Sequence, residues 1–123
     1  MDGEVLAAQL SELGRQLDSK TAEVGTLDLI ATGKAITANE VREKYEDALA
    51  TAFLASTGTV EVRKAQARLD CTAARWEAQQ AAADWERGKS ELRTAQAMVR
   101  ALERRIDIGR SLLSREKTLA AIV

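Results

Sequence analysis

The chain has no proline, no histidine, one cysteine and only four aromatic side chains among its 123 residues. Each shortage excludes something. Without proline, the strongest breaker of helices is missing from end to end. A lone Cys71 cannot close an intrachain disulfide, and with no histidine beside it there is no ligand set for a multi-cysteine zinc site. General acid–base chemistry would fall to a carboxylate, a lysine or a tyrosine with a shifted pKa, held in a pocket. Tyr45, Phe53, Trp76 and Trp85 are too few to fill a thick globular core. No apolar run approaches the ~18 residues of a membrane span. The opening MDGEVLAAQL also lacks the basic start and apolar stretch of a signal peptide. These absences lead to the expectation of a non-enzymatic, cytoplasmic protein with no cofactor and no metal.

What is present is helix-forming. Charged residues make up 30% and apolar residues 46% of the chain, which suits long amphipathic helices better than disorder or strands. Starting at Leu6, steps of four and three residues pass through Leu10, Leu13, Leu17, Lys20 and Val24, then continue without a skip to Ala55. Lys20 and Lys34 lie on this stripe, where their stems can follow a seam while the ammonium stays in water. The stretch GTLDLIATGKAIT carries Gly25, Gly33 and several β-branched residues, making it the place for a kink. A second stripe runs from Val60 through Ala67, Cys71, Ala74, Trp85, Gly88 and Ile106 to Leu113 in one register. Two sustained seven-residue repeats predict left-handed supercoiling of two helices.

Between the stripes stands Ser56-Thr57-Gly58-Thr59. Gly58 suits the left-handed conformation that ends a helix. Thr59 suits an N-cap, and Glu61 the positive end of the next helix dipole. So short a turn predicts an antiparallel return. The expected fold is therefore all-α: a single helical hairpin domain over 1–123, with helix one about 3–56, the turn about 56–59 and helix two about 60–119. The stagger places Leu6–Leu17 against Val99–Leu113, and Val41 with Tyr45 against the small residues of Ala67–Ala78. Arg63 and Lys64 read as solvated charge at a helix start. Cys71, on an alanine-lined seam, reads as packed rather than reactive.

The net charge of −1 conceals a division: residues 1–50 balance to −5, residues 51–86 to −1 and residues 87–123 to +5. Antiparallel arms would bring the acidic and basic ends together and neutralise them. Arg93, Arg100, Arg104 and Arg115 share one broad outer sector and are the candidate contacts if the protein binds nucleic acid instead. Outside the seam, Val62, Leu69 and Trp76 repeat every seven residues, and helix one offers Ile36 and Phe53 over the same half. That stripe is the candidate interaction surface, most simply for a second copy of the chain, giving a homodimer of four helices. GKAIT is no phosphate loop, because the further glycine and the preceding strand are missing.

With the turn in place, Ala52-Phe53-Leu54, Gly58, Val62-Arg63-Lys64 and later Gly109-Arg110-Ser111 form a pattern. It resembles small helical proteins encoded by phages of actinobacteria, often near replication and recombination genes. The resemblance implies a phage origin, a host-cytoplasm setting and a phage or host protein as partner. It brings no reaction and no functional residue with it. Two functions of different class follow: a coiled-coil interaction or structural module working through its apolar stripe, and an accessory nucleic-acid-binding protein working through its arginines.

Overall fold

The computed structural model describes residues 2–122. Helix occupies 95% of the described residues, with no strand among them. Three helices follow in order: α1 Gly3–Ala55, α2 Val60–Asp70 and α3 Thr72–Ile122.

The start of α1 is capped from just before it. The Asp2 carboxylate accepts a hydrogen bond from the Glu4 N–H, and the Asp2 carbonyl accepts one from Leu6 N–H at 3.1 Å. Glu4 adds an acid in the first turn, where the dipole favours it. The expected kink at Gly25 to Gly33 is not there: α1 is continuous through both. A methyl group added at either glycine would meet nothing within 4 Å, so these residues weaken the helix through chain entropy alone.

Where one continuous second helix was expected, the structure has two, separated at Cys71 with φ −106° and ψ 20°. The hydrogen-bond ladder still passes the break, since Cys71 N–H donates to Ala67 and Cys71 C=O accepts from Arg75 N–H. The Thr72 hydroxyl donates to the Leu69 carbonyl at 2.9 Å and the Arg68 carbonyl at 3.3 Å, taking up acceptors that the helix ladder uses.

The connection between α1 and α2 follows the expected chemistry and adds to it. Gly58 has φ +108°, a conformation that L side chains rarely adopt. The Thr59 hydroxyl accepts from Val62 N–H, capping α2. At the end of α1, Ser56 donates its hydroxyl to the Ala52 carbonyl at 2.7 Å. The Phe53 carbonyl, in the last turn of α1, accepts from the Ser56 N–H at 3.3 Å and from two N–H groups of Arg63 at 3.2 and 3.0 Å. The same guanidinium lies over the Phe53 ring, 4.3 Å from its centre. Arg63 is therefore half-buried and ties α2 to the end of α1, which corrects its reading as solvated charge. Lys64 beside it is exposed, as expected.

Burial follows the seam. From Leu6 to Ala52 every stripe residue of α1 is buried or half-buried, and so is every one from Ala67 to Leu113. Ala55, Val60 and Lys64, which flank the turn, are the exposed exceptions.

The chain divides into two compact units. The turn unit, Leu29–Ser90, buries small side chains: Ala31, Ala38, Ala67 and Cys71. Its helices approach closely at Gly88, where an added methyl would stand 3.8 Å from the Ala31 Cα and 3.1 Å from the Lys34 Cδ. The Lys34 stem thus crosses Gly88, and its ammonium emerges 3.3 Å from Asp84. The terminal unit, Met1–Asp28 with Glu91–Val123, buries Leu6, Leu102 and Ile106 with Ala95. Contacts here run in opposite chain directions, Gly3 beside Leu113 and Leu10 against Gly109. Each large aliphatic buried in this unit stabilises by roughly 1.5–3 kcal/mol, whereas the alanines of the turn unit contribute far less apiece.

Candidate interaction surfaces

In the turn unit, Val62, Leu69 and Trp76 are all exposed, Leu69 to 70% and Trp76 to 60%. Their register explains why. Each lies two residues from a seam position on either side, which at 100° per residue is the back of the helix. Ala83 continues the line and is also exposed. The remaining two candidates do not join them. Ile36 is exposed, but it holds the equivalent back position on α1. Because α1 and α3 face each other through Lys34, Asp84 and Gly88, the two backs look away from one another. Phe53 is half-buried beneath Arg63, so its ring is already covered by its own chain. The apolar surface that remains together is Val62, Leu69 and Trp76.

The terminal unit carries an apolar surface that sequence reasoning missed. Met98, Ile108 and Leu112 are exposed, and each immediately precedes a seam residue, so they follow one flank of the seam rather than its back. Two adjoining hollows open along this flank. One, of about 670 Å³, is lined from α1 by Glu12, Gln16 and Ser19 and from α3 by Met98, Leu102 and Arg105. The next, of about 240 Å³, has Leu6, Leu10 and Leu13 opposite Ile108, Gly109 and Leu112, and shares Arg105 with the first. The α1 wall is low because Gln16 and Ser19 stand where α3 has aliphatics. The signal was readable: apolar residues at 98, 108, 112 and 119 keep the spacing of the seam, displaced by one. Arg105 and Arg115 interrupt that spacing and disguise it.

Arg93, Arg100, Arg104 and Arg115 are all exposed on α3. The direct ion pairs seen among the described residues are mostly local to one helix, with partners three or four residues apart: Arg15 with Glu12, Lys20 with Glu23, Arg42 with Glu46, Arg87 with Asp84 and Lys89 with Glu86. Lys34–Asp84 joins two helices, with the cation on α1 and the acid on α3. On α1, Glu12, Glu23 and Glu46 each have a cation three or four residues away on the same helix, and that cation is the partner. Glu12 shows the effect on ionisation. Hydrogen bonds from Arg15, at 2.7 and 3.1 Å, and then from Gln16 hold its carboxyl below the usual carboxylate range.

Cys71 is a free thiol, buried in the seam. Among the described residues no group of three or more side chains could hold a metal ion. No helix there is long and apolar enough to cross a membrane. Comparison of the chain with protein-family models, with curated proteins and with solved structures finds no match.

Proposed function

We propose that the chain is a non-enzymatic interaction module: an antiparallel helical hairpin that pairs with a second copy of itself through the back of α2 and the first turns of α3. The observation that supports this reading most is the exposure of Leu69 and Trp76 on one face, with Val62 in line. Three such side chains from each of two copies gain about 9–18 kcal/mol on burial, against association costs of about 4–15 kcal/mol. The favourable end of that balance reaches the about 8 kcal/mol that a micromolar dimer needs. Ile36 and Phe53 contribute little to it, one facing away and the other covered by Arg63. The phage resemblance bears on the setting, and adds a phage or host protein as a further partner in the host cytoplasm.

Sedimentation equilibrium tests the pairing. The unaltered chain should sediment as a dimer near ~100 µM, and Leu69→Glu with Trp76→Glu should give a helical monomer. An unaltered chain that is monomeric at that concentration would overturn self-association.

A second reading is supported by Arg93, Arg100, Arg104 and Arg115, which are all exposed on α3. In that reading the protein is an accessory nucleic-acid binder whose affinity comes from phosphate neutralisation. Labelled duplex and single-stranded DNA should then shift at ~150 mM salt, and lose the shift on Arg100→Glu with Arg104→Glu.

A further inference from the structure

The terminal unit's groove differs in chemistry from the turn-unit face, and the difference identifies what would fill it. Its floor is apolar, made by Leu6, Leu10, Leu13 and Leu102 of the seam together with the exposed flank of α3. Its α3 rim is cationic. Arg105 borders both hollows, and a third hollow of about 340 Å³ extends the same flank past Ile108 and Leu112 between Arg104 and Arg115. Beyond Leu113, which lies beside Gly3 near the start of α1, the helix continues to Leu119 and Ile122, exposed to 61% and 75%. On the α1 side the cations are already engaged, Arg15 by Glu12 and Lys20 by Glu23. Asp107 is the acid that lines the α3 part of the groove, against Arg104 and Arg115 in the third hollow and Arg105 in the first two.

An apolar floor between two helices, with space for a third, is the geometry that accepts the apolar stripe of an amphipathic helix. The charges decide among occupants. A second α3 laid along this flank would bring the same arginine rim, and like charges across such a contact are repulsive. Phosphate neutralisation uses the arginines and leaves Met98, Ile108 and Leu112 with no role. A helix with carboxylates beside its apolar stripe satisfies both features at once.

We propose that this groove docks an amphipathic helix of another protein, its apolar stripe against Met98, Ile108 and Leu112 and its flanking carboxylates against Arg105 and Arg115. The site is separate from the self-association face and does not rest on it.

Two labelled synthetic helices of three heptads test the proposal against the full chain by fluorescence anisotropy. Both carry leucine at the seam positions, one with glutamate and the other with lysine at the flanking positions. The glutamate helix should bind about tenfold or more tightly than the lysine helix at low salt, and the preference should shrink as salt rises. Ile108→Asp with Leu112→Asp should abolish binding while far-UV circular dichroism shows helix retained. Because that pair adjoins the seam, Arg105→Glu with Arg115→Glu, both exposed, supplies a second reading: it should reverse the preference towards the lysine helix. Equal binding of both helices, binding of neither at about 100 µM, or a preference unaltered by the charge reversal would each overturn it.

Discussion

Replacing Arg63 by methionine keeps an unbranched apolar stem of similar reach and removes the guanidinium that spans the turn. Two N–H groups then leave the Phe53 carbonyl, and the cation leaves the Phe53 ring. A hydrogen bond from a charged donor contributes about 1.5–3 kcal/mol net. A partly exposed cation–π contact adds about 0.5–1 kcal/mol. The carbonyl keeps its bond from the Ser56 N–H, which together with water offsets part of the loss, and the lower half of the combined range applies. The expected cost is therefore about 2 kcal/mol. For a chain of this length that corresponds to a thermal midpoint lowered by about 5–10 °C. Urea and thermal unfolding followed by circular dichroism at 222 nm, at one fixed protein concentration, measure it. Lys64→Met is the control, since Lys64 is exposed and should change stability by less than about 0.5 kcal/mol. Arg63→Lys should fall between, because an ammonium keeps the charge but not the paired donors. If Arg63→Met melts with Lys64→Met, within about 2 °C of the unaltered chain, the guanidinium does not tie the turn.

Two further perturbations separate sterics and charge from helix propensity. Gly33→Ala, with nothing within 4 Å of the added methyl, should stabilise by about 0.5–1 kcal/mol in the same melts. Gly109→Ala should forfeit that gain or reverse it, because its methyl would stand 2.6 Å from Leu10 Cδ2 and 3.3 Å from Cγ; equal effects at the two sites would refute the close packing. The Glu12 carboxyl, held low first by Arg15 and then by Gln16, should titrate upward towards the ordinary range in Arg15→Met, read by carboxyl carbon NMR. Because its folded pKa is depressed, its contribution to stability is present above the unfolded carboxylate pKa, ~4.3, and lost as pH falls through the folded value. An Arg15→Met variant whose Glu12 titrates unchanged would contradict that assignment.

The seam was legible because burial repeats with the chain itself. A stripe of four-and-three steps is a statement about one face of each helix, and the structure buries that face from Leu6 to Ala52 and from Ala67 to Leu113. Gly58 and Thr59 were legible for a similar reason, since a positive φ and an N-cap each call for a small set of residue types. The break at Cys71 was not. Thr26 donates its hydroxyl to the Ala22 carbonyl much as Thr72 does to Arg68, yet α1 remains unbroken there. A threonine inside a helix therefore carries no local mark of which outcome it has. Arg63 was misread because its acceptor is ten residues earlier across the turn, beyond the reach of any i+3 or i+4 rule. Of the candidate surface, Val62, Leu69 and Trp76 were readable as one line. The separation of Ile36 and the covering of Phe53 depend on how the helices meet.

The composition of the seam bears on stability in a way that can be measured. Among the described residues no large side chain is fully buried, and the turn unit's core is alanine and cysteine. Fixing the backbone costs about 1–2 kcal/mol per residue, so helices held by so little apolar burial have little surplus of their own. If the Leu69 and Trp76 face closes on a second copy, part of the folding free energy belongs to the dimer, and stability must depend on protein concentration. Each tenfold increase in concentration adds about 1.4 kcal/mol per dimer. At about 2.1 cal/mol/K of unfolding entropy per residue, over two chains, that raises the thermal midpoint by about 2–3 °C. Melts across a hundredfold range should therefore span about 5 °C for the unaltered chain. Leu69→Glu with Trp76→Glu should melt lower and at a midpoint independent of concentration. A concentration-independent midpoint in the unaltered chain would mean that the thin seam suffices alone, and that the exposed tryptophan stabilises no second copy.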